Sequence, residues 1–520
     1  MIATPHDKTF TQLGERIAAI NDVLNAASVL VWDSRTMMPT GGAQGRGMQI
    51  STLTRVALDM LQHADTERAL DGAEAALALD SSGADVQLTM VSQVRQALEH
   101  HRRVPAELTQ QRAALRTVAQ AAWIEARARN DFSLFAPHLT QTMALSRQYA
   151  DCAGWSAHPY DAMVALYEPG ATAANLKTLF TQLRAAIGPI LQSARARPAA
   201  PRDFLFRDYP EEGQRAFGHH LASTLGYDLR RGRLDSTVHP FEVSFTRDDV
   251  RITTRYNRNF LNASLFGTAH ETGHALYEQG VAPDYTRTVF ATDLIGLYAV
   301  GGTSFGMHES QSRLWENHIV RSRDFWRLHF ATLQGQFPTQ LGDVDAETFY
   351  RAVTHIEPGL IRVEADELSY DLHVMLRVEI ECALMDGSLQ VADLPAVWNQ
   401  TMQRDLGLDV PDDARGVLQD IHWSSGYVGS FASYTIGNVI AAQLMDTLRR
   451  EDAGLGGQIE AGNYAMLAAK LGDGVWQHGR RFTRDELLTR LTGRGLDAAP
   501  YIAYLTRKYS AEPQGCGGAG

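Results

Sequence analysis

The sequence predicts a mainly α-helical protein, folded as two helical lobes around a deep cleft, with a small antiparallel β-sheet next to one central helix. Apolar residues recur at three- and four-residue steps through most of the 520 residues, which is typical of amphipathic helices. A stretch at about residues 204–256 is instead rich in β-branched and aromatic residues. A His-Glu-Thr-Gly-His motif at residues 270–274 follows that stretch directly.

The clearest periodicity defines the predicted elements. Helices are predicted over Leu13–Leu30, Asp85–Arg102, Ala106–Arg129, Ala173–Ile187, Asn262–Gly280, Ser304–Ile319, Val344–Ile356, Ile361–Met385, Ser433–Arg449 and Asp485–Thr492. Strands are predicted over Val238–Phe245 and Val250–Tyr256, joined at Thr246–Asp249. Residues 1–510 are expected to form a single domain with two helical lobes, and residues 511–520 a disordered tail.

Composition excludes several classes of protein. A net charge of -12 and an isoelectric point near 5.8 argue against nucleic acid or an anionic membrane as a partner. The first ten residues lack the apolar core of a signal peptide, and no run approaches the length of a membrane span. Three scattered cysteines do not suit a disulfide framework. We therefore expect a cytoplasmic protein.

The motif at residues 270–274 predicts a zinc site. On a helix, His270 and His274 lie one above the other on the same face, where two imidazoles can hold one zinc ion. Glu271 beside them can act as general base on a metal-bound water that attacks an amide, as in zincin peptidases. Asn262 or Ser264 is expected to cap the start of this helix, and Gly280 to end it.

A catalytic zinc ion needs a third protein ligand. The candidates are Glu309 and its neighbour His308, on a helix that Ser304 is expected to cap. Spacing alone leaves both open.

Many separate motifs, in order, carry a resemblance to a known family over nearly the whole chain. They are Trp32-Asp33, Thr36–Pro39, Tyr167–Gly170, His239–Phe241, Asp249–Thr253, His270–His274, His308–Arg313, Ile361–Glu367 and Gly416–Trp423. In these residues the chain resembles the carboxypeptidase Taq family of zinc metallocarboxypeptidases. The resemblance implies a fold similar to neurolysin and angiotensin-converting enzyme, with a long active-site cleft and commonly a homodimer.

The resemblance also implies an activity and a metal site. The expected activity is zinc-dependent release of C-terminal amino acids from peptides. Matched residue by residue, the family's metal ligands are His270, His274 and Glu309, with one zinc ion per chain and Co²⁺ or Mn²⁺ as possible substitutes. The alternatives are an oligopeptidase or dipeptidase with the same chemistry, or an inactive relative that binds peptides.

Further roles follow from the same family. With Glu271 as the base, His422 and Tyr434 are implied as donors to the developing oxyanion. Arg362 is the first candidate to bind the C-terminal carboxylate of the substrate, because a guanidinium suits that geometry. Arg251 is the second.

A structural role is the alternative for His422, Tyr434 and Arg251. His422 can be a structural partner of Trp423, and Arg251 can form an ion pair with Asp249. The acidic residues of the Arg362 stretch can orient the zinc histidines or serve the fold; they are Glu364, Asp366 and Glu367.

The chain departs from the family pattern in two places. Glu309 follows His274 by 35 positions, several more than in relatives, with the extra residues in Asp284–Val300. This insertion is expected to affect substrate access or a subunit contact. Ser430 and Ala432 stand where relatives typically have an aromatic residue and a proline, which indicates an altered pocket near the oxyanion.

Overall fold

The computed structural model describes residues 5–79, 85–198 and 200–510. Helices dominate it, which confirms the mainly α prediction. The N-terminal helices are α1 (Pro5–Thr36), α2 (Ala43–Leu61), α3 (Ala64–Leu79), α4 (Asp85–Arg103), α5 (Ala106–Arg129), α6 (Ala136–Ala153), α7 (Tyr160–Val164) and α8 (Ala173–Arg195). The tail predicted to be disordered, residues 511–520, lies outside the described residues.

A helix and a sheet follow, and then helices again. These elements are α9 (Glu211–Leu225), β1 (Gly232–Ser236), β2 (Glu242–Thr246), β3 (Asp249–Thr254), α10 (Leu261–Gly280), α11 (Phe305–Arg313), α12 (Arg323–Gln336), α13 (Pro338–Leu341), α14 (Ala346–Val353), α15 (Ser369–Asp386), α16 (Leu394–Leu406), α17 (Ala432–Glu451), α18 (Leu455–Glu460), α19 (Ala465–Gly474), α20 (Arg484–Thr492) and α21 (Ala499–Tyr509). Each predicted helix overlaps an observed one. Among the described residues, no helix combines the length and the apolar composition needed to cross a membrane.

The internal contacts divide the chain into two compact units. Of the described residues, the first unit comprises those within Met1–Arg103, Arg202–Glu347 and Thr447–Gly495, and the second comprises those within Val104–Pro201, Thr348–Asp446 and Leu496–Gly520. The sheet, α10 and α11 belong to the first unit. The single domain with a cleft between two lobes stays a prediction.

The sheet is mixed, so the prediction of an antiparallel sheet is wrong in part. In the described chain its strand order is β1-β3-β2. β2 and β3 form the predicted antiparallel hairpin, whereas β1 pairs in parallel with β3. β1 was missed because its sequence, Gly-Arg-Leu-Asp-Ser, holds a single apolar residue. The region predicted as a β insertion also contains the helix α9.

α10 is buried on nearly all sides and forms the centre of the first unit. It packs against β3, β2, α9 and α11, and Ala275 joins the small apolar cluster between the sheet and α9. A helix surrounded in this way cannot be amphipathic, which explains its apolar and small residues. The expected side-chain cap is wrong: the helix begins at Leu261 without one, and Ser264 Oγ donates to Gln214 Oε1 at 2.6 Å. The helix ends at Gly280, as predicted.

α10 and α11 touch backbone to backbone at Gly273. A Cβ atom on Gly273 would lie 2.5 Å from the carbonyl oxygen of Gln311 and 2.5 Å from Cα of Ser312. Since these are backbone atoms, they cannot rotate away as a side chain can. Glycine is therefore required here by the close approach of the two helices.

The inserted segment Asp284–Val300 packs against the N-terminal helices. Its Phe290 and Leu294 are buried in the apolar cluster formed by residues of α1 to α4. Asn21 of α1 donates from Nδ2 to the carbonyl of Ala291 at 3.1 Å and to Thr292 Oγ1 at 2.7 Å. The insertion is thus part of the core of the first unit, and its effect on substrate access or a subunit contact stays a prediction.

The predicted helix Ile361–Met385 is wrong in its first eight residues. Arg362–Glu364 forms a 3₁₀ turn, and α15 begins only at Ser369. The Asp366 carboxylate accepts hydrogen bonds from the backbone N–H groups of Leu368 and Ser369 at 3.0 and 2.9 Å. Such a side-chain turn competes with the helix, so Asp366 delays its start.

The contact at Gly273 gives a testable prediction. Gly273→Ala is expected to destabilise the protein by about 3 kcal/mol, because overpacking against backbone cannot relax. Gly267→Ala on the same helix is the matched control, since its Cβ would meet Thr254 Oγ1 at 3.5 Å and Pro240 Cγ at 3.6 Å, which are ordinary contacts. That variant is expected to gain up to about 1 kcal/mol from helix propensity. Chemical denaturation followed by tryptophan fluorescence measures both, and equal stability of the two variants would contradict the close contact.

Candidate active site

Two histidines of α10 lie one helical turn apart on the same face, as their spacing predicts. The rings of His270 and His274 meet edge to face, with centroids 5.0 Å apart and planes at 78°. Nε2 of His270 lies 3.5 Å from Glu309 Oε2, and Nε2 of His274 lies 3.3 Å from the same oxygen. Two nitrogen donors and one oxygen donor therefore converge.

Glu309 is held in place by its own helix. Ser304 precedes α11, and its hydroxyl accepts a hydrogen bond from the backbone N–H of Met307 at 3.1 Å, which confirms the predicted cap. One turn beyond Glu309, Arg313 Nε donates to Oε1 at 2.7 Å. Ser312 Oγ donates to Oε2 at 3.2 Å. The carboxylate is thus oriented by neighbours on both of its oxygens.

The three donors fit a small divalent cation. In the described part of the chain, His270, His274 and Glu309 are the one group of potential metal ligands with atoms within 4.8 Å of one another. Donors about 2.1 Å from a tetrahedral ion lie about 3.4 Å apart. The observed separations of 3.3 and 3.5 Å from Glu309 Oε2 match that edge length. Imidazole and carboxylate ligands suit zinc, and also cobalt or manganese.

His308, the other candidate third ligand, makes different contacts. Its Nε2 lies 2.9 Å from Glu278 Oε1. Its ring stacks on that of His274, with centroids 4.5 Å apart. Of the two candidates that spacing left open, the structure brings Glu309 to the histidines.

Burial and charge set the protonation of these groups. Burial lowers the pKa of His274 to about 3, so its imidazole is neutral at neutral pH and one of its two nitrogens carries a lone pair. Burial also acts to lower the pKa of His270, but Glu309 and Glu316 outweigh it and raise this pKa to about 10. A cation must displace that proton to bind. Burial raises the pKa of Glu271 to about 7, where a carboxylate can accept and return a proton.

Glu316 contacts His270 directly and was missed from the sequence. His270 Nδ1 lies 2.9 Å from Glu316 Oε2. Glu316 belongs to a π-helical segment, Leu314–Val320, that continues α11. The signal that could have identified it is its position seven residues after Glu309, which puts both carboxylates near one helix face.

Three further predicted residues form a cluster in the second unit. Arg362 donates to Asp420 Oδ1 from Nε at 3.0 Å and from Nη2 at 2.7 Å, and to the Tyr370 hydroxyl from Nη1 at 3.1 Å. His422 Nε2 lies 3.1 Å from the Tyr434 hydroxyl oxygen. The Tyr434 ring centroid lies 5.1 Å from the Arg362 guanidinium carbon. Arg362, His422 and Tyr434 are therefore brought together.

Asp420, which had no predicted role, is the shared counter-ion of this cluster. Arg377 Nε donates to its Oδ2 at 2.6 Å. Burial acts to raise the pKa of Asp420, but Arg362 and Arg377 hold this pKa well below its usual range. Burial, aided by the same two arginines, lowers the pKa of His422 to about 3. A charge at Arg377, inside the apolar run of α15, is the sequence signal of such a buried partner.

Arg251 forms the ion pair that is the alternative to its substrate role. Its Nε and Nη2 donate to Asp249 at 2.9 and 2.8 Å. Its guanidinium carbon lies 4.5 Å from the ring centroid of Trp32 and 4.8 Å from that of Phe245. These contacts favour a structural role.

The acidic residues after Arg362 also have structural contacts. Glu364 is exposed, and Asp366 forms the turn before α15. Glu367 accepts hydrogen bonds from the Tyr504 hydroxyl and from Lys508 Nζ, both at 2.7 Å. These contacts attach α21 to the start of α15.

The unusual residues Ser430 and Ala432 flank a buried aromatic ring. Ser430 Oγ donates to the carbonyl of Tyr427 at 3.0 Å, and Ala432 begins α17. Phe431, between them, lies with its centroid 4.2 Å from that of the His422 ring. The departure from the family pattern therefore lies next to His422.

Comparison with known proteins agrees with these observations. The sequence profile described as "Carboxypeptidase Taq (M32) metallopeptidase" matches residues 12–509. The chain is 35% identical over 506 residues to carboxypeptidase 1 of Bacillus subtilis (strain 168), covering 97% of this chain and 98% of that protein. It is 37% identical over 495 residues to thermostable carboxypeptidase 1 of Thermus thermophilus, covering 93% and 95%.

Comparison of the fold with solved structures also finds carboxypeptidases of this family. The crystal structure of M32 carboxypeptidase from Deinococcus radiodurans R1 superposes with a TM-score of 0.91 at 39% sequence identity. The superposition covers 97% of this chain and 99% of that one. A match over nearly the full length, in both sequence and fold, leads to one conclusion: the chain belongs to the carboxypeptidase Taq (M32) family of metallopeptidases and is a metallocarboxypeptidase.

Proposed function

We propose that this metallocarboxypeptidase uses zinc, held by His270, His274 and Glu309, to release amino acids from the C-terminus of peptides. The observation that supports the ligand set most is the position of both Nε2 atoms within 3.5 Å of Glu309 Oε2. Zinc is preferred because two imidazoles and one carboxylate, with one position left for water, are typical of catalytic zinc.

Glu271 is the proposed general base. When bound, the ion supplies Lewis acidity to water and to the scissile carbonyl. Glu271 takes a proton from the attacking water and passes it to the leaving amine. A pKa of about 7, raised by burial, suits both transfers at neutral pH.

His422 and Tyr434 are the proposed donors to the oxyanion. With a pKa lowered to about 3 by burial, the His422 imidazole is neutral and carries one N–H group. The 3.1 Å contact between His422 Nε2 and the Tyr434 hydroxyl orients the two side chains and uses one of their two protons, so one side chain donates to the oxyanion while this contact persists and both can donate once it breaks.

Arg362 is the proposed anchor for the C-terminal carboxylate. A guanidinium has five N–H groups. The hydrogen bonds of Arg362 to Asp420 and Tyr370 use one N–H group on each of Nε, Nη1 and Nη2. One N–H group on each Nη remains, so two donors are left for a carboxylate. Arg251 is the second candidate, although its fork is already paired with Asp249.

An oligopeptidase or dipeptidase with the same metal chemistry is the main rival. An inactive peptide-binding relative is less well supported, because such a protein has no need of a base at Glu271. A homodimer and a cytoplasmic location stay predictions.

Glu271→Gln tests the base. The amide has the same shape but cannot accept a proton, so kcat is expected to fall by about 10²- to 10⁴-fold. Zinc content by elemental analysis is expected to stay at one ion per chain. Full activity in this variant would contradict the proposed mechanism.

Glu309→Ala and His308→Ala separate the two candidate third ligands. Zinc content is expected to drop markedly in the Glu309 variant and to stay near that of the wild type in the His308 variant, because His308 is bonded to Glu278. Elemental analysis after dialysis measures both. The reverse result would assign the third ligand to His308.

Arg362→Met tests recognition of the carboxylate. Asp420 keeps its bond with Arg377 in this variant, so the fold is expected to survive. Activity on a peptide with a free C-terminus should fall by about 10- to 100-fold, the cost of losing a charge-assisted hydrogen bond. Arg251→Met is the matched control and should keep most activity.

The C-terminally amidated form of the same peptide completes this test. The wild type is expected to prefer the free carboxylate, and the Arg362 variant to cut both peptides at similar rates. If the wild type already cuts both equally fast, the rival oligopeptidase is favoured and the role of Arg362 is wrong.

A further inference from the structure

The hydrogen bond between His270 and Glu316 determines which nitrogen of His270 is free to bind metal. Glu316 Oε2 lies 2.9 Å from Nδ1 of the imidazole. A carboxylate at this place accepts the Nδ1 proton, so the neutral ring keeps its lone pair on Nε2. Nε2 is the atom that lies 3.5 Å from Glu309 Oε2. The contact thus selects the tautomer that the proposed metal site needs.

Glu316 is itself held at both oxygens. Arg321 donates to Oε1 from Nε at 3.2 Å and from Nη2 at 3.1 Å. Arg313 Nη1 lies 3.6 Å from Oε2 of Glu316. Nε of the same arginine donates a hydrogen bond to Glu309 Oε1. Arg321 lies over the ring of Phe266 on α10, with its guanidinium carbon 3.5 Å from the centroid. A buried carboxylate fixed by two arginines cannot turn away from His270.

The π-helical segment makes this arrangement possible. The backbone N–H of Arg321 donates to the carbonyl of Glu316, five residues earlier, at 2.8 Å. On a regular α-helix, residues three or four apart face each other and residues five apart do not. The wider turn therefore brings the Arg321 side chain to the carboxylate that faces His270. π-helical turns of this kind often occur at functional sites.

The other histidine has no carboxylate at its Nδ1 in the described part of the chain. His274 Nδ1 is buried and has no hydrogen-bond partner among the described residues. Its ring instead stacks on His308, which is bonded to Glu278. A buried Glu–His pair thus also exists beside the site, but its histidine is not a proposed ligand. Glu278 and Glu316 are therefore a matched pair of buried carboxylates with different expected effects on metal binding.

We propose that Glu316 is a positioning residue of the metal centre, which fixes the orientation and tautomer of His270, and that Arg321 acts through Glu316. This inference rests on the proposed ligand set. Removal of a partner that orients a ligating histidine typically weakens metal binding by 10- to 100-fold.

The test is the affinity of the full chain for Zn²⁺, measured by competition with a chelator after the metal has been removed. Glu316→Gln keeps the size and one acceptor oxygen, and is expected to weaken Zn²⁺ binding by about 10-fold. Glu316→Ala is expected to weaken it by up to about 100-fold. The visible spectrum of bound Co²⁺ should change in both variants, because the ligand geometry changes.

Two variants control for a purely structural role. Glu278→Gln makes the same change at the matched carboxylate, and should lower the melting temperature while leaving the Zn²⁺ affinity within about twofold. Arg321→Met leaves His270 and Glu316 in place and should weaken Zn²⁺ binding by a smaller factor than Glu316→Ala. If Glu316→Ala does not fold, Glu316→Gln and Arg321→Met still decide the question.

Unchanged Zn²⁺ affinity in Glu316→Gln and Arg321→Met would overturn the inference. His270→Ala, measured in the same titration, separates this failure from failure of the ligand set. If His270→Ala binds Zn²⁺ as the wild type does, the proposed ligands are wrong. If His270→Ala loses Zn²⁺ while the Glu316 variants keep it, the positioning role alone is wrong.

Discussion

At Gly273 the backbone of α10 lies against the backbone of α11, with no room between them for a side chain. Gly273 stands immediately before His274 and three residues after His270. On the facing helix, the contact at Gln311 and Ser312 lies just beyond Glu309. Two helices that meet at these positions must bring the three donor side chains together. The separations of 3.3 and 3.5 Å from Glu309 Oε2 depend on that one close contact.

Buried charges around this contact are paired before any ligand arrives. Arg313 holds Glu309, and Arg321 holds Glu316. An uncompensated buried charge is strongly destabilising, and an arginine offsets that cost at Glu309 and at Glu316. The same principle applies in the second unit, where Asp420 lies between two arginines. Side chains fixed in this way are preorganised, which is what a metal centre or a substrate anchor requires.

The sequence was sufficient to predict the parts of the site that depend on local spacing. Two histidines four residues apart on a helix must share a face, and Ser304 was identified correctly as a cap. The choice between Glu309 and His308 could not be made from spacing, because both are polar and adjacent on one helix. It depends on how α11 docks on α10, which is a tertiary contact.

Other features were missed for physical reasons. β1 pairs in parallel with β3, the strand after next in the chain, and its residues are mostly polar. The segment before α15 has apolar spacing typical of a helix, but Asp366 binds the backbone there. The π-helical turn at Leu314–Val320 leaves no simple periodicity, so the contact of Glu316 with His270 was not expected.

The convergence of three donors on one ion can be observed directly. Crystals of the zinc-loaded protein, measured on both sides of the zinc absorption edge, should show one strong anomalous peak per chain in the first unit. It is expected about 2 Å from His270 Nε2, His274 Nε2 and one oxygen of Glu309. A peak at any other group of residues would contradict the proposed centre. Full activity of the same protein preparation with no metal bound at these three residues would also contradict it.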